Sequence, residues 1–123
     1  MTSILIVDDD IGILETLQYL LVSEGYDIMV ASNGQDAINQ YKETKPDIVF
    51  MDLKMPLMNG FSAFFKIREF DKSANVVLTS SYAIDNTEYR HAKKSGLAGM
   101  LSKPFTLEKI IKMIDKCQNQ TLK

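Results

Sequence analysis

A chain of 123 residues with 46% hydrophobic and 24% charged positions suits one folded domain, is too short for two, and is too apolar to be disordered. Its net charge of −2 excludes the basic excess that bulk nucleic-acid binding requires. The single cysteine, Cys117, excludes an internal disulfide and any multi-cysteine metal site, and no apolar run reaches the ~18–20 residues of a membrane span. The sequence therefore predicts one soluble domain over residues 1–123, cytoplasmic, without membrane or direct nucleic-acid contacts.

The first predicted strand, Ser3–Val7, opens onto Asp8-Asp9-Asp10. Helical spacing follows in Leu14, Leu17 and Leu21, then Gly25 and a second strand, Asp27–Ala31. Asn33-Gly34 turns into a helix carrying Ala37, Ile38 and Tyr41, which Lys45-Pro46 ends. The third strand, Ile48–Met51, delivers Asp52, and Asn59-Gly60 precedes a helix with Phe61, Phe64, Phe65 and Phe70. The fourth strand, Val76–Thr79, leads to Ser80. A largely polar helix, Asn86–Ser95, with Tyr89 and Ala92 on its thin apolar side, stops at Gly96. The fifth strand, Met100–Ser102, precedes Lys103-Pro104 and a last helix with Leu107, Ile110, Ile111 and Ile114 on one face. Short continuous Val/Ile/Leu runs fit strands buried on both faces. Five alternations of strand and helix predict an α/β fold: a doubly wound, five-stranded parallel sheet flanked by five helices.

In such a sheet, ligands gather beyond the carboxyl ends of the strands. There the sequence places Asp8, Asp9, Asp10 and Asp52, with Ser80 and Lys103 at the same edge. Helix capping accounts equally well for the Asp run alone, since Asp is a favoured N-cap. It does not account for Asp52 on another strand. Crowded carboxylates share protons or hold a cation; all-oxygen ligands select Mg²⁺, with Mn²⁺ also admissible. Asp9 and Asp52 then serve as direct ligands and Asp8 acts through water. The charge division suits this reading, with ten acids and three bases through Gly60 and six acids and eleven bases after it. Lys103, otherwise a solvated lysine before a turn, pairs with Asp52 and then with phosphoryl oxygens. The sole histidine, His91, reads as a surface residue, so a hydrolase triad is excluded. Neither a dinucleotide-binding glycine motif nor a P-loop is present.

Together, Ile4-Leu5-Ile6-Val7-Asp8-Asp9-Asp10, the run Met51-Asp52-Leu53-Lys54-Met55-Pro56-Leu57-Met58-Asn59-Gly60, and Lys103-Pro104-Phe105 resemble the receiver domain of bacterial two-component response regulators. The resemblance covers the whole chain and is strongest to stand-alone receivers such as the intermediate carrier of sporulation phosphorelays. It implies the flavodoxin-like receiver fold, Asp52 as phosphoacceptor, and Mg²⁺ held by Asp8, Asp9, Asp52 and the backbone carbonyl of Lys54. Lys103, before a cis peptide to Pro104, would contact the phosphoryl group. The family also places a hydroxyl after the fourth strand. Thr79-Ser80-Ser81 leaves its register open, and Ser80 is favoured because Ser80-Ser81-Tyr82 parallels the family's Thr-Ala-Tyr.

The implied partner is a histidine kinase or histidine phosphotransferase, whose helical bundle would dock on Ile11, Gly12, Ile13 and Leu14 and the loop at Pro104-Phe105; Ile11 and Phe105 read equally as core or turn residues. Lys54 and Tyr82 would flank the approach to Asp52 and tune the lifetime of the acyl phosphate. Met100 stands where many receivers carry a switching aromatic, so a hydroxyl-coupled aromatic flip is not expected. A downstream protein target is compatible with the same reading. The chain would thus be a signalling phosphoacceptor rather than a turnover enzyme; a metal-dependent phosphatase of related topology usually adds an acid where Lys54 stands. The alternatives are a receiver fragment of a longer regulator and an interaction module independent of phosphorylation.

Overall fold

Each of the five apolar runs finds another as a parallel neighbour: β1 (Ser3–Val7), β2 (Asp27–Ala31), β3 (Ile48–Asp52), β4 (Val76–Ser80) and β5 (Gly99–Ser102). Their order across the sheet is β2-β1-β3-β4-β5. The coordinates are a computed structural model that describes residues 1–81 and 86–121. Between the strands run α1 (Ile11–Ser23), α2 (Gly34–Thr44), α3 (Gly60–Phe70) and α4 (Asn86–Lys94), and α5 (Leu107–Thr121) follows β5. The doubly wound architecture is therefore the one expected.

Alternation along the strands divides the core into two layers, because successive side chains leave a strand on opposite faces. Leu5, Val7, Val49, Met51, Val76 and Leu78 meet α2, α3 and α4 through Ala37, Ile38, Tyr41, Phe61, Phe64, Ile67 and Ala92. Ile4, Ile6, Ile48, Phe50 and Val77 meet α1 and α5 through Leu14, Leu21, Ile110, Ile114 and Cys117. Both faces are covered, so the strands read as continuous apolar runs. Each fully buried aliphatic or aromatic side chain contributes about 1.5–3 kcal/mol.

The helix starts are fixed by side chains that satisfy otherwise orphaned amides. Asp10 accepts from the N–H groups of Gly12 and Ile13 at 2.9 and 3.3 Å. Asn33 accepts from Asp36 N–H at 2.7 Å, and Asn59 from Ser62 N–H at 2.9 Å.

The strand limits depart from the sequence reading in one respect. Asp52 and Ser80, expected after their strands, are the last residues of β3 and β4, and β5 begins one residue earlier than expected, at Gly99. Backbone pairing extends past the apolar runs, with Asp52 level with Thr79 and Ser80 level with Ser102, because ladder hydrogen bonds are made by the main chain whatever the side chain.

Candidate functional site: an aspartate cluster with one lysine

Strand order reverses at β1, whose neighbours are β2 and β3, and the acidic residues gather at the carboxyl ends on either side of that point. Asp8 follows β1, is buried, and accepts from the N–H of Asp10 at 2.9 Å. That bond fixes its carboxylate before α1 begins. Asp9 is exposed, and Asp52 is buried at the end of β3. Carboxylate oxygens of Asp8, Asp9 and Asp52 lie within 4.8 Å of one another.

Lys103 enters from β5, on the far edge of the sheet. Its Nζ is 2.6 Å from Asp8 Oδ2 and 3.4 Å from Asp52 Oδ1. The sequence paired this lysine with Asp52, yet Asp8 is the nearer partner. One ammonium thus serves two acids, with Asp9 beside them. Burial raises the pKa of Asp52, and the charge of Asp8 and, more weakly, of Asp9 raises it further against the lowering effect of Lys103. Burial disfavours the Lys103 ammonium, but its hydrogen bond to Asp8 and the two carboxylate charges outweigh this, and its pKa is raised. The cluster is short of positive charge. Three oxygen donors so spaced fit a hard divalent cation, which takes one or two carboxylates and completes its shell with water and phosphate oxygens.

The cleft over this cluster is lined by Asp8, Asp9, Asp10, Ile13, Asp52, Lys54, Met55, Pro56, Ser81 and Lys103. Lys54 is exposed on its rim. The Lys103–Pro104 peptide is cis. Of the three candidate hydroxyls, Thr79 and Ser80 are buried and Ser81 is exposed in the cleft lining. Alternation puts Ser80 on the side of Leu78, whereas Asp52 continues the side of Phe50. Tyr82 lies outside the described residues. A second groove, beside the first, is lined by Asp10, Gly12, Ile13, Thr16, Leu17, Ser81 and Lys103 to Phe105. Ile11 is 56% exposed next to it, while Phe105 is half-buried against the α1/α5 layer.

Sequence reasoning gave Asp10 two readings, and the hydrogen bonds to Gly12 and Ile13 show it capping α1. It did not single out Met55 or Pro56 as lining residues; the signal available was their place immediately after Asp52.

Residues 4–115 match the family model described as "Response regulator receiver domain". The chain belongs to that family. This receiver domain is 34% identical over 114 residues to the chemotaxis protein CheY of Thermotoga maritima, spanning 92% of this chain and 94% of the relative. Among solved structures, it is similar to the response regulator TrrA of Thermotoga maritima in complex with Mg²⁺ and BeF, with a TM-score of 0.83 and 29% identity over 95% of this chain and 99% of that one. It is also similar to a chain of the CheX–CheY–BeF₃–Mg²⁺ complex of Borrelia burgdorferi, with a TM-score of 0.84 and 30% identity over 92% of this chain and 86% of that one. Receiver domains are signalling phosphoacceptors, and their acidic pocket binds Mg²⁺. Among the described residues no helix is long and apolar enough to cross a membrane.

Proposed function

We propose that Asp52 accepts a phosphoryl group from a phosphohistidine on a histidine kinase or histidine phosphotransferase, in a Mg²⁺-dependent reaction. The observation that carries this reading is the cleft that gathers the carboxylates of Asp8, Asp9 and Asp52, with Lys103 bridging Asp8 and Asp52. Asp8, Asp9, Asp52 and the Lys54 carbonyl would hold the cation. When bound, it supplies charge neutralisation for the transferring group.

An Asp52 oxygen attacks phosphorus in line, forming a P–O bond as the P–N bond to the imidazole breaks. The imidazole nitrogen keeps that bond's electron pair. Lys103 follows the charge from the free carboxylates onto the phosphoryl oxygens, a stabilisation already in place before transfer. A hydroxyl at the end of β4, Ser80 on the sequence reading with Thr79 and Ser81 as the alternatives, donates to a phosphoryl oxygen. Ser81 lines the cleft, and Thr79 is level with Asp52 on the neighbouring strand. Attack by water on the acyl phosphate returns Asp52 and inorganic phosphate; Lys54 flanks that path. The chain catalyses only its own phosphorylation and dephosphorylation. A reducing cytoplasm suits its lone, buried Cys117.

The test is intact mass after incubation with acetyl phosphate and Mg²⁺. A phosphate adduct on wild type that is lost with Asp52→Ala and with chelator is the expected result. No adduct from acetyl phosphate or phosphoramidate, together with no Mg²⁺ binding, would sink the reading and favour an interaction module.

A further inference from the structure

The loop from Leu53 to Asn59 carries Lys54, Met55 and Pro56 into the cleft, so its placement sets the site. At its far end it is held by Gly60. A Cβ there would lie 2.6 Å from the Asp52 carbonyl oxygen and 2.9 Å from Leu53 Cα, and the Gly60 N–H donates to Leu53 O at 2.8 Å. Within the loop, Met58 N–H donates to Pro56 O at 2.7 Å and Leu57 adopts a positive φ of 69°. That conformation is uncommon for a residue with a branched side chain, and the loop needs an external support to keep it.

The support comes from α2. Gly34, the buried first residue of that helix, has no φ that demands glycine, and a Cβ would gain helix propensity. A Cβ there would nonetheless sit 3.0 Å from Met58 Sδ, 3.2 Å from Cγ and 3.3 Å from Cβ. Three consecutive atoms of Met58, Cβ, Cγ and Sδ, therefore lie against the bare backbone of Gly34, and an added methyl meets all three. Accommodating it requires Met58 to give by a few tenths of an ångström, along its side chain as far as Cβ.

We infer that Gly34 is a positioning residue for the cation and phosphoryl site, acting through Met58 to hold the Lys54–Pro56 segment against Asp52. The inference rests on the proposed Mg²⁺ site. It assigns to the start of α2, which lines no part of the cleft, control over the geometry of an ion bound there. By linkage, an ion that fixes the loop also fixes the start of α2.

Titration of Mg²⁺ by calorimetry into wild type, Gly34→Ala, Met58→Ala and the double variant tests it, with urea unfolding of each in parallel. Gly34→Ala is expected to weaken Mg²⁺ binding by a few-fold, less than the roughly tenfold or greater loss seen when a hydrogen-bond partner of a metal ligand is removed. Met58→Ala alone removes the brace without a clash and weakens binding by a similar factor. In the Met58→Ala background, Gly34→Ala costs little more, because the atoms it strikes are mostly gone. Unchanged Mg²⁺ affinity in Gly34→Ala overturns the inference, as does an undiminished effect of Gly34→Ala in the absence of the Met58 side chain. Should Gly34→Ala not fold, Met58→Ala decides alone: wild-type affinity overturns the inference, and weakened affinity at unchanged unfolding cooperativity supports it. A wild-type chain that binds no Mg²⁺ overturns instead the site reading on which this rests.

Discussion

Aspartates stand at both ends of the sheet, and the two ends treat them in opposite ways. At the amino end, Asp71 after α3 accepts from the Tyr41 hydroxyl at 2.7 Å and from Ser73 Oγ at 2.7 Å. Those hydrogen bonds lower its pKa. At the carboxyl end, burial and the neighbouring acids raise that of Asp52. Nearby, Asp47 accepts from Ser3 N–H at 2.8 Å and ties the starts of β1 and β3 together. The amino-end carboxylates are provided with donors, while the carboxyl-end ones are crowded together and under-supplied. The first arrangement stabilises the fold; the second stores a deficit that a cation can relieve.

Three variants break or sharpen that contrast. Lys103→Ala is expected to have the largest effect, costing about 3 kcal/mol, the low end for a buried pair that loses one partner. It should show as a lower urea midpoint, with part of the loss recovered on adding Mg²⁺. A loss that Mg²⁺ does not touch would make the lysine a purely structural tie.

Tyr41→Phe comes next, at about 2 kcal/mol, the value of a hydrogen bond to a charged group. Burial, and then the hydrogen bond and charge of Asp71, raise Tyr41 above its ordinary 10.0. The unfolded chain therefore releases this proton first, and stability that is complete below about 10 is lost as pH rises from there through the raised folded pKa. Asp71, depressed below 3.8, contributes stability above that value which disappears as pH falls through its folded pKa. Thermal melts of Tyr41→Phe should be flatter at both extremes; a variant as pH-sensitive as wild type would contradict the pairing.

Asp52→Asn is the smallest and opposite in sign. Without Mg²⁺ it should be slightly more stable than wild type in urea unfolding, because one buried, crowded charge is gone. Added Mg²⁺ should raise the melting temperature of wild type progressively and that of the variant much less.

The strands and the two-layer core were legible because each strand is a short continuous apolar run, and the site was legible because acids and a lysine recur at strand ends. Less legible was anything set by distance in space. Lys103 meets Asp8 more closely than Asp52, although both acids face it from the same edge. The hydroxyl register stayed open because Thr79, Ser80 and Ser81 differ in burial, not in chemistry, and burial follows from strand pairing. Tyr41 was read correctly as core, but its hydroxyl partner is thirty positions away. Gly34 was read as turn punctuation, since a missing methyl carries no sign of what lies against it. The proposed roles of Asp8, Asp9, Asp52, Lys54, Ser80 and Lys103 rest on chemistry that the mass and calorimetric measurements address.

Asp8 and Lys103 are 95 positions apart, on strands separated by two others. During synthesis the acidic end of the sheet is made early and Lys103, the ammonium that bridges Asp8 and Asp52, nearly last. Until β5 docks, Asp8 and Asp52 lack the ammonium that bridges them. Under the role proposed for Lys103, competence to receive a phosphoryl group arrives only with the last strand, and a chain arrested before residue 103 would not be a working acceptor.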